Sequence, residues 1–286
     1  GLITPTSVPN RPRWGYRLME HFEHTLPHRA TLVTTCSGYL ADLARNHGAP
    51  QTAVIHNGYW PGPAPADRAT LRTEFNLKSD AFYLGFIGWT PSEVVWCLDA
   101  LKQLGDNVRL ASCGYDIRQN LGAYPGLRDR IDYLGKLSPD QARRLMHAIN
   151  AGLLPLAHTP FNESRLPIKF ADYLAAGVPA ICGDVGEVGS LGRQIHGAIL
   201  YPPEREAWVA GCVNAVNEIQ RDPATHLPDT EELERHISWP HLVQQLEHAY
   251  LSNLERLNPQ ADDSKETPCF ATSPAGERVP HSDTTF

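Results

Sequence analysis

The residues most suited to chemistry lie in one short stretch, Asn162-Glu-Ser-Arg165-Leu-Pro167-Ile168-Lys169-Phe-Ala-Asp172-Tyr173-Leu-Ala-Ala-Gly177-Val-Pro179. Pro167 suits the first position of a helix running to residue 176, with Gly177 as its stop and Pro179 beyond it. Phe170, Leu174 and, less squarely, Ala171 form its packing face; Lys169 and Asp172 share the other, with Tyr173 beside Lys169. A helix start of this kind offers free backbone N–H groups, the positive end of the dipole, a lysine in the first turn and Arg165 just before it. That set suits a phosphate or diphosphate. One turn deeper, Asp172 is placed to accept two hydrogen bonds from a vicinal diol such as a ribose. Spacing alone fits a solvated Lys–Asp pair at the surface equally well.

Elements that would position such a stretch recur along the chain. Apolar, β-branched runs at 82–87, 108–112, 131–134, 152–156, 180–182 and 198–201 alternate with amphipathic stretches, the pattern of a doubly wound parallel sheet covered by helices. Thr90-Pro91-Ser92-Glu93 and Ser138-Pro139-Asp140-Gln141 each carry an N-cap, a proline at the first helical position and a residue able to close a capping box. In such a sheet, ligands bind at the carboxyl ends of the strands, and the stretch from Asn162 follows the fourth of them. Ahead of this unit stands a helix (16–24), a strand (30–35), a helix (39–47) and a strand (52–55). The expected division is 1–60 as the last βαβ portion of a second Rossmann-like domain and 61–75 as a Pro/Gly linker. Residues 76–239 then form a nucleotide-binding domain, 240–257 a terminal helix and 258–286 a polar, disordered tail.

Composition narrows the function. The 286 residues carry 25 Lys and Arg against 32 Asp and Glu, for a net charge of −7, which argues against broad nucleic-acid binding. No apolar run is long enough to span a bilayer. Six scattered cysteines without a Cys-x-x-Cys point to reduced thiols in a cytoplasmic setting. Gly186-x-x-Gly189-x-x-Gly192 is not the dinucleotide fingerprint, so a nicotinamide-binding Rossmann protein is the weaker alternative. His24 and His28 lack a third ligand nearby, and no metal is expected. Arg11, Arg13 and Arg17, interleaved with Trp14, Tyr16 and Phe22, fit a helix packing on its own domain, or one touching the inner, anionic face of a membrane.

The stretch Asn162-x-x-Arg165-x-Pro167-x-Lys169-x-x-Asp172-Tyr-Leu-Ala-Ala-Gly-x-Pro179 resembles the donor-site segment of family 4 glycosyltransferases, enzymes of GT-B architecture with two facing Rossmann-like domains. Further likenesses stand in order: Val33-Thr-Thr-Cys-Ser37, Val54-Ile-His-Asn57-Gly58, Leu84-Gly-Phe-Ile-Gly88, Tyr133-Leu-Gly135-Lys-Leu-Ser138 and Ile237-Ser-Trp239. The resemblance implies a nucleoside-diphosphate sugar as donor, no separate cofactor, and metal-independent transfer to a hydroxyl acceptor (a saccharide, a lipid-linked glycan or a small molecule) with retention at the anomeric carbon. It implies that Arg165 and Lys169 act on the diphosphate together with the helix start at Pro167 and Ile168. Asp172 would hold the ribose, the backbone of Gly135, Lys136 and Leu137 the base, and Gly88 would close the site from the first strand of the unit. The sequence departs from the family in three places. The loop Gly88-Trp89-Thr90-Pro91-Ser92-Glu93 holds an acid where an Arg and a Lys are usual. Ser164 stands where a first Glu is usual. Only the end of the first domain is present, so the expectation is an N-terminally truncated chain, or a binding module of GT-B fold without catalysis.

Overall fold

The computed structural model describes residues 13–88 and 93–258, without the side chain of Arg13. The expected disordered tail, the N-cap at Thr90 and Arg11 lie outside the described residues.

Helix α1 (Arg13–Thr25) leads to a two-stranded parallel sheet in which β1 (Val33–Thr35) and β2 (Thr52–Val54) flank α2 (Gly38–Asn46). Ser37 caps α2: its Oγ accepts from Leu40 N at 3.1 Å. Along α1, Trp14, Leu18 and Phe22 are exposed. The residues expected to be a linker run only to Asp67, which caps α3 (Arg68–Glu74) through its side chain.

The main unit is a six-stranded, all-parallel sheet built from β3 (Phe82–Gly88), β4 (Val108–Gly114), β5 (Ile131–Tyr133), β6 (Ala151–Leu154), β7 (Ala180–Gly183) and β8 (Ala198–Tyr201). The spatial order β5-β4-β3-β6-β7-β8 makes it doubly wound, with the direction of winding reversing between β3 and β6. All six sequence-derived strands are present, their ends shifted by no more than two residues. β4, β6 and β7 are buried at every position, which is why they appear in the sequence as unbroken apolar runs.

Helices cover both faces. On one, α3, α5 (Pro139–Ala148), α7 (Ile168–Ala175) and α10 (Thr230–Ile237) bury Leu71, Leu145, Phe170 and Leu233. On the other, α4 (Val94–Gln103) and α9 (Arg205–Arg221) bury Trp96, Leu98, Trp208 and Val216. The capping box foreseen at Ser138 forms, Ser138 Oγ accepting from Gln141 N and Gln141 Oε1 from Ser138 N. The short helices α3 and α10 were not foreseen, nor were α6 (Pro160–Glu163), capped by Thr159, and the glycine-rich α8 (Gly186–Gly192). The last helix, α11 (Trp239–Leu257), starts one residue before the expected position, capped by Ser238, and returns to the first unit, where Asn253 Nδ2 donates to Thr31 Oγ1. No helix among the described residues is long and apolar enough to cross a membrane.

Candidate donor site

The reversal of winding between β3 and β6 leaves a crevice at their carboxyl ends, and the candidate residues collect there. β3 ends at Gly88, whose φ of +121° suits glycine alone. Gly88 O accepts from Tyr115 N and Gly114 N donates to Gly135 O, both at 2.8 Å, so the ends of β3, β4 and β5 are tied into one edge.

From β6 the chain passes through α6 into α7. Pro167 is the N-cap rather than the first helical residue, so α7 begins at Ile168, one position later than expected. The consequence for the site is small. Within the described residues, the N–H groups of Arg165, Ile168 and Lys169 have no acceptor, and the helix dipole points its positive end out of the same turn.

Arg165 is planted firmly. Its Nε and Nη2 donate to Asn162 Oδ1 at 3.1 and 2.6 Å, and its guanidinium lies 4.4 Å from the centre of the Phe161 ring. Asn162 is itself buried and donates through Nδ2 to Ala157 O at 2.8 Å and to Glu93 Oε1 at 3.2 Å. The acid of the loop after β3, Glu93, is therefore tucked beneath the cation, where it orients the amide that holds Arg165.

Lys169 turns back toward β3. A Cβ built on Gly88 would meet its Nζ at 2.8 Å, and Nζ stands 5.6 Å from the Phe86 ring centre. Burial pulls its pKa down to about 8, with Arg165 adding to the shift and Glu93 opposing it. One turn on, burial pushes Asp172 up to about 6, against the influence of Arg143 on α5. Neither the Lys169 ammonium nor the Asp172 carboxyl makes an ion pair or hydrogen bond among the described residues. Both border one cleft of about 1030 Å³, together with Gly88, Ile168, Arg143 and Trp60.

Tyr173 stands one turn after Lys169, on the side of α7 that faces β3. It is fully buried, its hydroxyl donating to Gly85 O and accepting from Ile87 N, each at 3.2 Å. A tyrosine four residues after a lysine shares its side on a helical wheel, and here that side lies against β3, which takes up the hydroxyl and leaves only the lysine on the cleft. Gly135, Lys136 and Leu137 occupy the loop after β5 on the same edge of the sheet, directly before α5, whose Pro139 and Asp140 border the cleft. Ser164 uses its carbonyl to accept from Ser37, while Glu163 faces away to His158 Nε2 at 3.0 Å.

Some residues near the site were not legible as such. Ser37 Oγ donates to Ser164 O at 2.8 Å, and Asn57 Nδ2 to Leu166 O at 2.7 Å. Glu187 of α8 accepts from Gly38 N and meets His56 Nε2 at 3.0 Å, and hydrogen bonding to that imidazole holds its carboxyl below the usual range. His56-Asn57-Gly58 stood out only through its family likeness and Gly186–Gly192 only as a glycine run; neither showed its contacts, because the partners lie more than a hundred residues away.

A doubly wound sheet with a helix start and two cations at its switch point has the architecture of GT-B glycosyltransferases. Residues 80–218, nearly the whole six-stranded unit, match the family model described as "Glycosyl transferases group 1". The Bacillus subtilis (strain 168) protein named "Putative teichuronic acid biosynthesis glycosyltransferase TuaH" is 23% identical over 175 residues, 58% of this chain and 43% of that protein. Among solved structures, Anabaena Alr3699/HepE in complex with UDP and glucose superposes with a TM-score of 0.66 at 18% identity, over 88% of this chain and 70% of that one. Sucrose-phosphate synthase from Thermosynechococcus elongatus gives 0.65 at 18%, over 87% and 65%. The chain thus spans less than two thirds of these two proteins, TuaH and the synthase. Together the matches support a glycosyltransferase.

Proposed function

We propose that this chain is the donor-binding part of a retaining, metal-independent glycosyltransferase that moves a sugar from a nucleoside-diphosphate donor to a hydroxyl acceptor. The observation that carries the reading is the pairing of two half-buried charges, Lys169 and Asp172, neither with an ion-pair or hydrogen-bond partner among the described residues, on one cleft at the switch point of the sheet. Such charges are costly to keep in a folded protein, and a ligand with an anionic end and a diol end satisfies both. Lys169, Arg165 and the free amides of the α7 start neutralise the charge that develops on the departing diphosphate. Asp172 accepts from the ribose hydroxyls, and the backbone of Gly135, Lys136 and Leu137 meets the base. Gly88 leaves room for the lysine and the phosphates. The unpaired cysteines Cys36, Cys97, Cys113, Cys182 and Cys212 agree with a cytoplasmic setting.

The direct test is product analysis. Incubation with isotopically labelled UDP-, GDP- and ADP-sugars and simple glycoside acceptors should give an α-linked product from an α-linked donor, undiminished by a metal chelator. Lys169→Ala should lower turnover about 100-fold or more. A β-linked product, or loss of turnover on chelation, contradicts the retaining, metal-independent assignment. A second reading, a nucleotide-sugar-binding module without turnover, is favoured by the sequence Gly88-Trp-Thr-Pro-Ser-Glu93 after β3, which carries no basic residue. It predicts affinity for the donor with neither transfer nor hydrolysis.

A further inference from the structure

The phosphate-facing loop is gripped from outside its own unit. Ser164 and Leu166 flank Arg165, and the carbonyl of each accepts a hydrogen bond from the β1–β2 unit: Ser164 O from Ser37 Oγ at 2.8 Å, Leu166 O from Asn57 Nδ2 at 2.7 Å. Ser37 is fully buried and fixed in turn by capping α2. Asn57 follows His56, which Glu187 holds at 3.0 Å, and Glu187 also takes the N–H of Gly38, the residue after Ser37. Both donors are therefore mounted on clamped backbone.

Peptide planarity converts this grip into an orientation. In a trans peptide the carbonyl of one residue and the N–H of the next point in opposite directions. Drawing Ser164 O toward Ser37 turns the Arg165 N–H the other way, and that N–H is one of those left without an acceptor at the α7 start. Holding Leu166 O fixes the approach to Pro167, the N-cap, and so the direction in which the first amides of α7 point.

We infer that Ser37 and Asn57 are positioning residues for the anion site, so that docking of the β1–β2 unit sets the geometry of Arg165 and the α7 amides. The inference rests on the proposed donor reading for its functional consequence, but not for the grip itself. Docking then couples to donor affinity: whatever loosens the β1–β2 unit also loosens the diphosphate cradle.

Asn57→Asp is the sharpest variant, because it keeps the shape and replaces the donor facing Leu166 O with an acceptor. Hydrogen–deuterium exchange on the full chain should show the first bonded amides of α7, beginning with Phe170 N–H on Pro167 O, exchanging about tenfold faster, with β6 and β7 unchanged. Titration with UDP, GDP and ADP should show affinity for the preferred nucleotide falling about tenfold. Unchanged exchange at the start of α7, or unchanged affinity for a nucleotide that the unsubstituted protein binds, overturns the inference. If the unsubstituted protein binds none of the three nucleotides, the donor reading fails, and the exchange result alone upholds or overturns the grip. Asn57→Ala, which removes the donor without adding an acceptor, covers the case in which the aspartate prevents folding; its effects should run in the same direction and be smaller.

Discussion

Lys169 Nζ lies so close to Gly88 that any Cβ at position 88 would stand 2.8 Å from it, and the φ of +121° there already excludes other residues without strain. The carboxyl end of β3 and the first turn of α7 thus form one structural feature, in which a missing side chain makes space for a cation.

Gly88→Ala should accordingly displace the lysine as well as strain the backbone. Nucleotide affinity is expected to fall at least tenfold, and stability by about 1–3 kcal/mol. Calorimetric titration and thermal melting separate the two effects; unchanged affinity would show that the lysine does not need this space.

Binding should depend on pH from both sides. Asp172, pushed up to about 6, must be ionised to accept from a diol, so affinity should weaken as pH falls through 6. Lys169, pulled down to about 8, must be protonated to meet a diphosphate, so affinity should weaken again as pH rises beyond 8. A titration series from pH 5 to 9 should give a maximum between these limits, and Asp172→Asn should remove the acid limb only.

The same two charges should cost stability. The carboxyl of Asp172 binds its proton more tightly in the folded chain than in the unfolded one. Its penalty is therefore absent below the ordinary aspartate range and complete once pH has risen past about 6. Asp172→Asn should raise ligand-free stability by about 1–2 kcal/mol at pH 8 and leave it unchanged near pH 3.5. Denaturant melts at the two pH values check this; a loss of stability at pH 8 would mean that the carboxylate has a partner in the folded protein.

Packing beneath the site should be unforgiving. A Cβ on Gly152 of β6 would stand 2.3 Å from the ring of Tyr173, which is locked by its hydroxyl to Gly85 and Ile87 of β3. Gly152→Ala should destabilise by about 2–4 kcal/mol, whereas Tyr173→Phe should cost about 1–2 kcal/mol through an unsatisfied Ile87 N–H. Equal effects would mean that the tyrosine is free to move.

Much of this organisation could be read from the chain because its determinants are local. Buried strands such as 151–154 and 180–183 are continuous apolar runs, and Ser138 and Pro139 specify the start of α5 by side-chain chemistry alone. The α7 start was likewise legible to within one residue, since Pro167 and Gly177 bracket it. Features that depend on distant partners were not. Tyr173 goes inward because the β3 backbone satisfies its hydroxyl, and Glu93 goes beneath Arg165 because Asn162 meets it there. Helix α8, with three glycines in seven residues, has little helical preference of its own, and its Glu187 finds partners only across the unit boundary.

The most direct measurement is calorimetric titration of UDP, GDP and ADP, and their glucose conjugates, into the unsubstituted protein, Lys169→Ala and Asp172→Ala. The account predicts saturable one-to-one binding of at least one diphosphate, weakened at least tenfold by either substitution in a chain that still melts cooperatively. Absence of binding by the folded protein, or affinity indifferent to both substitutions, would contradict it.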